Sequence, residues 1–214
     1  MKFRQLYRAS TLVRGINVFL SVTLMASFTL SAARAAVILS DGFESGKLFA
    51  DATGYSGRVA TIDAAGANTG ANSLLLNNKE GVLYSLADTY QEGTYTVTYY
   101  AKRETTFAIN LSFLTYGITG GYTPQVAAAY LEERSLPLNV YTPVTFTATI
   151  DAQSAAFGKN IQLLVEQSRL GSDNTYKLRI DDLLVSFTPI PEPSAFSLLV
   201  VGLAGLAVLR RRQA

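Results

Sequence analysis

Catalytic sites draw on a short list of side chains, and this sequence lacks two of them. Its 214 residues include no histidine and no cysteine. Without histidine there is no side chain whose ordinary pKa lies near neutrality, and the commonest metal ligand is missing. A Ser-His-Asp triad and a histidine-ligated zinc site are therefore excluded. Thiolate chemistry and a disulfide framework are excluded with cysteine. Carboxylates and tyrosines are left. Glycosidic cleavage needs two carboxylates flanking one bond, and Asp181-Asp182 is the conspicuous pair. Neighbouring residues of a strand point to opposite faces, so both acids reach one substrate only across a β-bulge. Ile180 and Leu183 are out of phase in the way a bulge produces. Between residues 36 and 190 there are 15 acids, enough to supply accidental pairs, so the sequence reads as non-catalytic.

Sugar binding without catalysis rests on flat aromatic rings, tryptophan being the largest. There is no tryptophan here, but there are 12 tyrosines. Tyr116 and Tyr122 bracket the loop 115–124 with its Gly120-Gly121, and Tyr55 lies in the glycine-rich stretch 54–57. Tyr116 and Tyr122 are the candidate ligand contacts. The competing reading packs them on sheet faces or inside loops.

Net charge narrows the partners. The chain has 18 basic and 16 acidic residues and a pI near 8.8. Eight of the basic residues lie in the terminal segments: Lys2, Arg4, Arg8, Arg14, Arg34, Arg210, Arg211 and Arg212. Residues 36–190 hold 10 basic and 15 acidic residues, a net charge of −5. An acidic domain with dispersed charge is a poor phosphate binder, which excludes nucleic acid as a partner.

The elements that must position these residues are strands. Tyr95, Val97, Tyr99 and Ala101 alternate with Thr96, Thr98, Tyr100 and Lys102. Phe107, Ile109, Leu111 and Phe113 alternate with Ala108, Asn110 and Ser112, and Val144, Phe146, Ala148 and Ile150 alternate with three threonines. Ile161, Leu163 and Val165 continue the pattern. Turn chemistry separates the runs at 66–70, 77–81, 91–93, 120–121 and 171–174. Residues 125–133 are read as a further strand. The expectation is an all-β antiparallel sandwich, or jelly roll, of about nine strands over residues 36–188.

Both ends read as address labels. Residues 1–35 combine a basic start, an apolar run from Ile16 to Leu30 and the small-x-small triplet Ala33-Arg34-Ala35. That is a Sec-type signal peptide, a helix in the membrane, with cleavage expected after Ala35. Residues 194–209 carry no charge. At that length they form a marginal transmembrane helix, since a span needs about 20 apolar residues. Arg210, Arg211 and Arg212 hold the C-terminus in the cytoplasm by the positive-inside rule. Both ends then lie on one side of the inner membrane and the sandwich on the other. Pro189, Pro191 and Pro193 are expected to prevent strand or helix there.

The order Pro191-Glu192-Pro193, short apolar span, Arg210-Arg211-Arg212 resembles a PEP-CTERM sorting tail over residues 189–214. The resemblance implies an exosortase-type sorting peptidase as partner, transient anchoring in the inner membrane, and a Gram-negative host that makes exopolysaccharide. The middle opens with Ser40-Asp41-Gly42-Phe43-Glu44-Ser45-Gly46 and closes with Ile180-Asp181-Asp182. There it resembles the galactose-binding-like jelly roll of carbohydrate-binding modules. That likeness implies a structural calcium held by Glu44 and Asp181, with Asp41 or Asp182 beside them. Together the two resemblances imply an exported surface or extracellular-matrix protein with a non-catalytic carbohydrate-binding-like domain, associated with exopolysaccharide. The alternatives are a structural surface protein with no glycan site and a small glycan hydrolase.

The intact mass of the extracellular form tests the address labels. It is expected to correspond to a chain beginning at Ala36 and ending near Pro193. A mass that includes Ala214 would mean a plain anchor.

Overall fold

The alternating pattern does fold as strands, and period two decides which side of each strand is buried. The computed structural model describes residues 34–48, 52–54, 60–106, 108–117, 125–132, 135–167 and 176–190. Ala33, Tyr55, Tyr122, the two terminal segments expected to be helical and the residues Pro191, Glu192, Pro193, Arg210, Arg211 and Arg212 lie outside them. Among the described residues there are eleven strands. They are β1 (Ala36–Asp41), β2 (Ala52–Gly54), β3 (Thr61–Asp63), β4 (Ser73–Leu76), β5 (Gly81–Thr89) and β6 (Gly93–Arg103). They continue with β7 (Asn110–Thr115), β8 (Gln125–Leu131), β9 (Thr142–Ile150), β10 (Asn160–Gln167) and β11 (Leu178–Pro189). The expected count of nine is exceeded because β2 and β3 have three residues each, too few to display an alternation.

Two antiparallel sheets form the sandwich. One has the order β3-β4-β11-β6-β9 with β1 also paired to β11, and the other has the order β2-β5-β10-β7-β8. β6 follows β11 along most of its length, from Leu178 opposite Arg103 to Pro189 opposite Gly93. The other edge of β11 is shared: β4 pairs with residues 178–180, and β1 with residues 183–187. Between those two partners the register of β11 shifts, and Asp182 adopts φ 52°. This is the bulge that the phase of Ile180 and Leu183 required. Pro189 corrects one expectation, because it is the last residue of β11 and lies opposite Gly93. Proline lacks only the N–H donor, which a strand end tolerates.

Inward-facing residues of both sheets make one core. β6 contributes Tyr95, Val97, Tyr99 and Ala101, β9 Val144, Phe146, Ala148 and Ile150, and β10 Ile161, Leu163 and Val165. β11 contributes Leu178 and Ile180 before the bulge and Leu183 and Val185 after it. Four tyrosines, Tyr84, Tyr90, Tyr95 and Tyr99, are among the largest fully buried side chains. Buried tyrosine needs a partner for its hydroxyl, and each has one. Tyr84 donates to Asp41 Oδ2 at 3.4 Å and Tyr90 to the Thr115 carbonyl at 3.1 Å. Tyr95 accepts from the Gln91 N–H at 2.7 Å, and its ring stands edge-on to Tyr90 at 5.0 Å.

β7 departs from a simple apolar interior. Asn110 and Ser112 are fully buried and face the core, while Ile109 and Leu111 are half-buried on the outer side. Tyr99 of the opposite sheet explains this. Its hydroxyl lies 2.5 Å from Asn110 Oδ1 and 2.8 Å from Ser112 Oγ. Asn110 Nδ2 in turn donates to Ser112 Oγ at 3.3 Å. Burial pushes the Tyr99 hydroxyl well above its ordinary pKa, so it stays protonated and the donor is permanent.

Removing that donor leaves Asn110 and Ser112 under-satisfied between the sheets. Tyr99→Phe is expected to cost about 1–3 kcal/mol, read as a lower urea midpoint at unchanged slope. A midpoint within error of wild type would show that the contact does not bind the sheets.

Candidate functional site

Asp181 faces outward just ahead of the bulge in β11, and the β3–β4 loop, residues 64–72, folds over it. Asp181 is fully buried. Its Oδ2 accepts from the backbone N–H groups of Asn68 at 2.6 Å and Thr69 at 3.1 Å, and its Oδ1 from the N–H of Asp182 at 2.8 Å. Burial pushes the Asp181 carboxyl up, and these three donors pull it back down. Asp182 holds the same loop from its other side, accepting from Asn68 Nδ2 at 2.9 Å and Thr69 Oγ1 at 2.5 Å. Glu44 completes the clasp. Its carboxylate accepts from the N–H of Ala71 at 3.0 Å and of Asn72 at 3.0 Å. The loop makes this fit through Gly70, whose φ is +66° and whose absent Cβ would lie 2.4 Å from Glu44 Oε1.

A second network, which the sequence reading missed, sits two residues along the same face of β11. Arg179 is buried and donates to Glu104 Oε1 at 2.5 Å, Asp63 Oδ2 at 2.7 Å and Ser73 Oγ at 3.1 Å. Arg179 holds the Asp63 carboxyl below its usual value. Lys102 pairs with Glu104 at 3.5 Å, lies 4.7 Å from the centre of the Tyr141 ring and donates to the Gly66 carbonyl at 2.9 Å. Tyr141 also donates to that carbonyl, at 2.7 Å, and burial pushes its hydroxyl up to about 12. The i, i+2 spacing of Arg179 and Asp181 on a strand was the available signal.

The structure thus brings Glu44, Asp181 and Asp182 onto one loop, while Asp41 binds elsewhere. Asp41 accepts from the Phe43 N–H at 2.9 Å and shapes the turn that presents Glu44. Calcium takes six to eight oxygen ligands. Here the carboxylate oxygens of Glu44 and Asp181 face N–H donors, and a donor hydrogen stands where a cation would have to approach. The residues as arranged do not fit calcium, and among the described residues no three His, Cys, Asp or Glu side chains are grouped to hold a metal ion. Tyr116 is half-buried and packs against the core. Ala35 and Ala36, on either side of the expected cleavage point, are exposed.

The outer face of the five-stranded sheet offers a different surface. Leu83, Leu164, Phe113 and Ala128 form one cross-strand row, and Gly81, Glu166, Leu111 and Tyr130 the next. Leu164 and Phe113 are buried although they lie outside the central core. Tyr130 is 54 % exposed. Burial pushes the Glu166 carboxyl up. Apolar surface, a ring and a partly desolvated carboxylate therefore share one face.

Comparison with known proteins bears on both the tail and the sandwich. Residues 189–212 match the PEP-CTERM protein-sorting motif. No curated protein matches the chain. The CBM22-1 xylan-binding domain of Paenibacillus barcinonensis Xyn10C is similar in structure, with 18% identity and a TM-score of 0.56 over 75% of this chain and 100% of that one. The CBM22-2 xylan-binding domain of the same enzyme has 12% identity and a TM-score of 0.54, over 71% of this chain and 99% of that one. A cyclase from Fischerella sp. TAU has 15% identity and a TM-score of 0.57, over 74% of this chain and 100% of that one. At such identities the likeness is one of fold. The jelly roll expected from the sequence is present, and it is shared by binding domains and an enzyme.

Gly70→Ala forces a side chain onto Glu44 at a left-handed position. It is expected to destabilise the domain by about 1–3 kcal/mol and to speed proteolytic cutting within 64–72. An unchanged melting temperature would mean that the loop re-seats without Glu44.

Proposed function

We propose that this chain is an exported surface or extracellular-matrix protein whose sandwich binds a neutral glycan without turning it over, in association with exopolysaccharide. The outer face of the five-stranded sheet carries the reading. Sugar rings present apolar C–H faces and hydroxyl edges, and aromatic and aliphatic surface beside a carboxylate suits both. Tyr130 supplies the exposed ring, the half-buried Leu111 and Leu83 the apolar floor, and Glu166 the acceptor. The fold shared with xylan-binding domains supports the same reading.

Export follows from the sorting motif together with the signal-like residues 1–35. An exosortase-type peptidase would cut near Pro191-Glu192-Pro193. The non-catalytic reading is supported by Asp181 and Asp182, whose carboxylates are engaged in holding the 64–72 loop. A pair bound in this way has no free oxygen aimed at a substrate.

Affinity electrophoresis tests the proposal with soluble xylan and with exopolysaccharide from the host. The protein is expected to be retarded in both gels and to release no reducing ends. Tyr130→Ala is expected to weaken retardation about fivefold, as the loss of a ring contact of about 1 kcal/mol predicts. Release of reducing ends would make the protein a hydrolase. Unretarded migration in both gels would leave a structural protein without a glycan site.

A further inference from the structure

The outer face of the other sheet, the six-stranded one, carries a grid of hydroxyls. β6 turns Thr94, Thr96 and Thr98 outward, and β9 turns Thr145, Thr147 and Thr149 outward. The register sets them in pairs: Thr94 opposite Thr149, Thr96 opposite Thr147, Thr98 opposite Thr145. On the other side of β6, β11 sets Thr188, Ser186 and Leu184 against the same three residues. β1 widens two of these rows with Val37 and Ser40. Three strands thus present eight hydroxyl side chains and one leucine in three rows of three. Neighbouring strands lie about 4.8 Å apart and alternate residues about 6.8 Å apart, so the grid covers about 10 by 14 Å. The β9 threonines are exposed and the β6 threonines half-buried.

The chemistry of the grid selects its partner. None of the nine residues is charged, although residues 36–190 carry 25 charged side chains. A net charge of −5 around a neutral face repels anionic surfaces and leaves neutral ones. A hydroxyl both donates and accepts, so the complement of a hydroxyl grid is another set of hydroxyls at regular spacing. β-branched threonine is stiff at χ1, so little side-chain freedom is lost on contact. Cross-strand threonine pairs also stabilise a sheet. That effect does not require all three rows to be free of charge.

We propose that this face docks flat against an ordered, neutral polysaccharide surface, the side of packed and aligned chains. It goes beyond the single-chain site proposed above, which lies on the opposite sheet. Together the two faces would let one sandwich hold a free chain and a packed bundle.

Adsorption of the full-length protein, purified in mild detergent, onto microcrystalline cellulose tests the idea. Saturable adsorption is expected, little changed between 0.05 and 0.5 M salt because no ion pair is involved (about the range over which an electrostatic contact would weaken markedly). The double variant Thr96→Val with Thr147→Val keeps shape and β-branching but removes two hydroxyls. It is expected to bind at least about tenfold more weakly, the loss of two hydrogen bonds of about 0.7 kcal/mol or more each, with the strand signal in circular dichroism retained. Thr147→Lys is expected to weaken adsorption as well, and Tyr130→Ala to leave it unchanged. The proposal is overturned by no adsorption of wild type, by equal adsorption of the valine variant, or by a wild-type dimer that Thr147→Lys dissociates. The last would make a second copy of the chain the occupant.

Discussion

One extra residue in β11 organises the six-stranded sheet. Ahead of the bulge β11 is paired by β4, and behind it by β1. The bulge lets the strand bury Ile180 on one side of it and Leu183 on the other. Alternation with Ile180 puts the Asp181 carboxylate on the outer face, where bare burial would be costly. Loop 64–72 answers that cost with backbone N–H groups, and the loop is in turn fixed by Asp182 and Glu44. The first strand, the last strand and the 64–72 loop meet at that bulge.

Polar contacts, not only apolar ones, define how the layers sit. Tyr99 reaches across the core to Asn110 and Ser112. Arg179 gathers Asp63, Glu104 and Ser73 beneath the same loop that Asp181 holds. A wholly apolar interface tolerates sliding by one pair of residues. A hydroxyl that must find one particular amide does not, because any shifted register leaves buried groups unpaired. Asp63 and Asp181 respond to acid in opposite senses. Asp63, held low by Arg179, contributes stability that is lost as pH falls below the ordinary aspartate value of 3.8. Asp181, raised chiefly by burial, favours the fold more as it takes up a proton.

Much of this was legible in the sequence. Alternation on β6, β9 and β10 placed the core residues correctly, because a strand with one buried face has only two phases. The bulge was visible as a phase break between Ile180 and Leu183. The acids Glu44 and Asp181 were singled out as calcium ligands, whereas in the fold both accept from one loop. Their ligands are backbone N–H groups of residues 68–72, and a backbone amide has no signature in a sequence. Arg179 and Tyr99 were missed for a related reason: their partners lie 75 and 11 residues away in the chain, and periodicity says nothing about which distant strands adjoin. Tyr130 sits in a strand, β8, whose burial alternates weakly, so its exposed ring did not stand out.

The tyrosine-filled interior has a chemical consequence of its own. Both methionines, Met1 and Met25, precede residue 36, and the chain has no cysteine or tryptophan. The core is built from tyrosine, phenylalanine and aliphatic side chains. Peroxide attacks sulfur first, through the sulfenic and sulfoxide series, and residues 36–190 offer it no sulfur atom. With no histidine either, they lack the side chain that most often captures a redox metal. Sulfur oxidation, the usual first lesion, therefore has no target within residues 36–190.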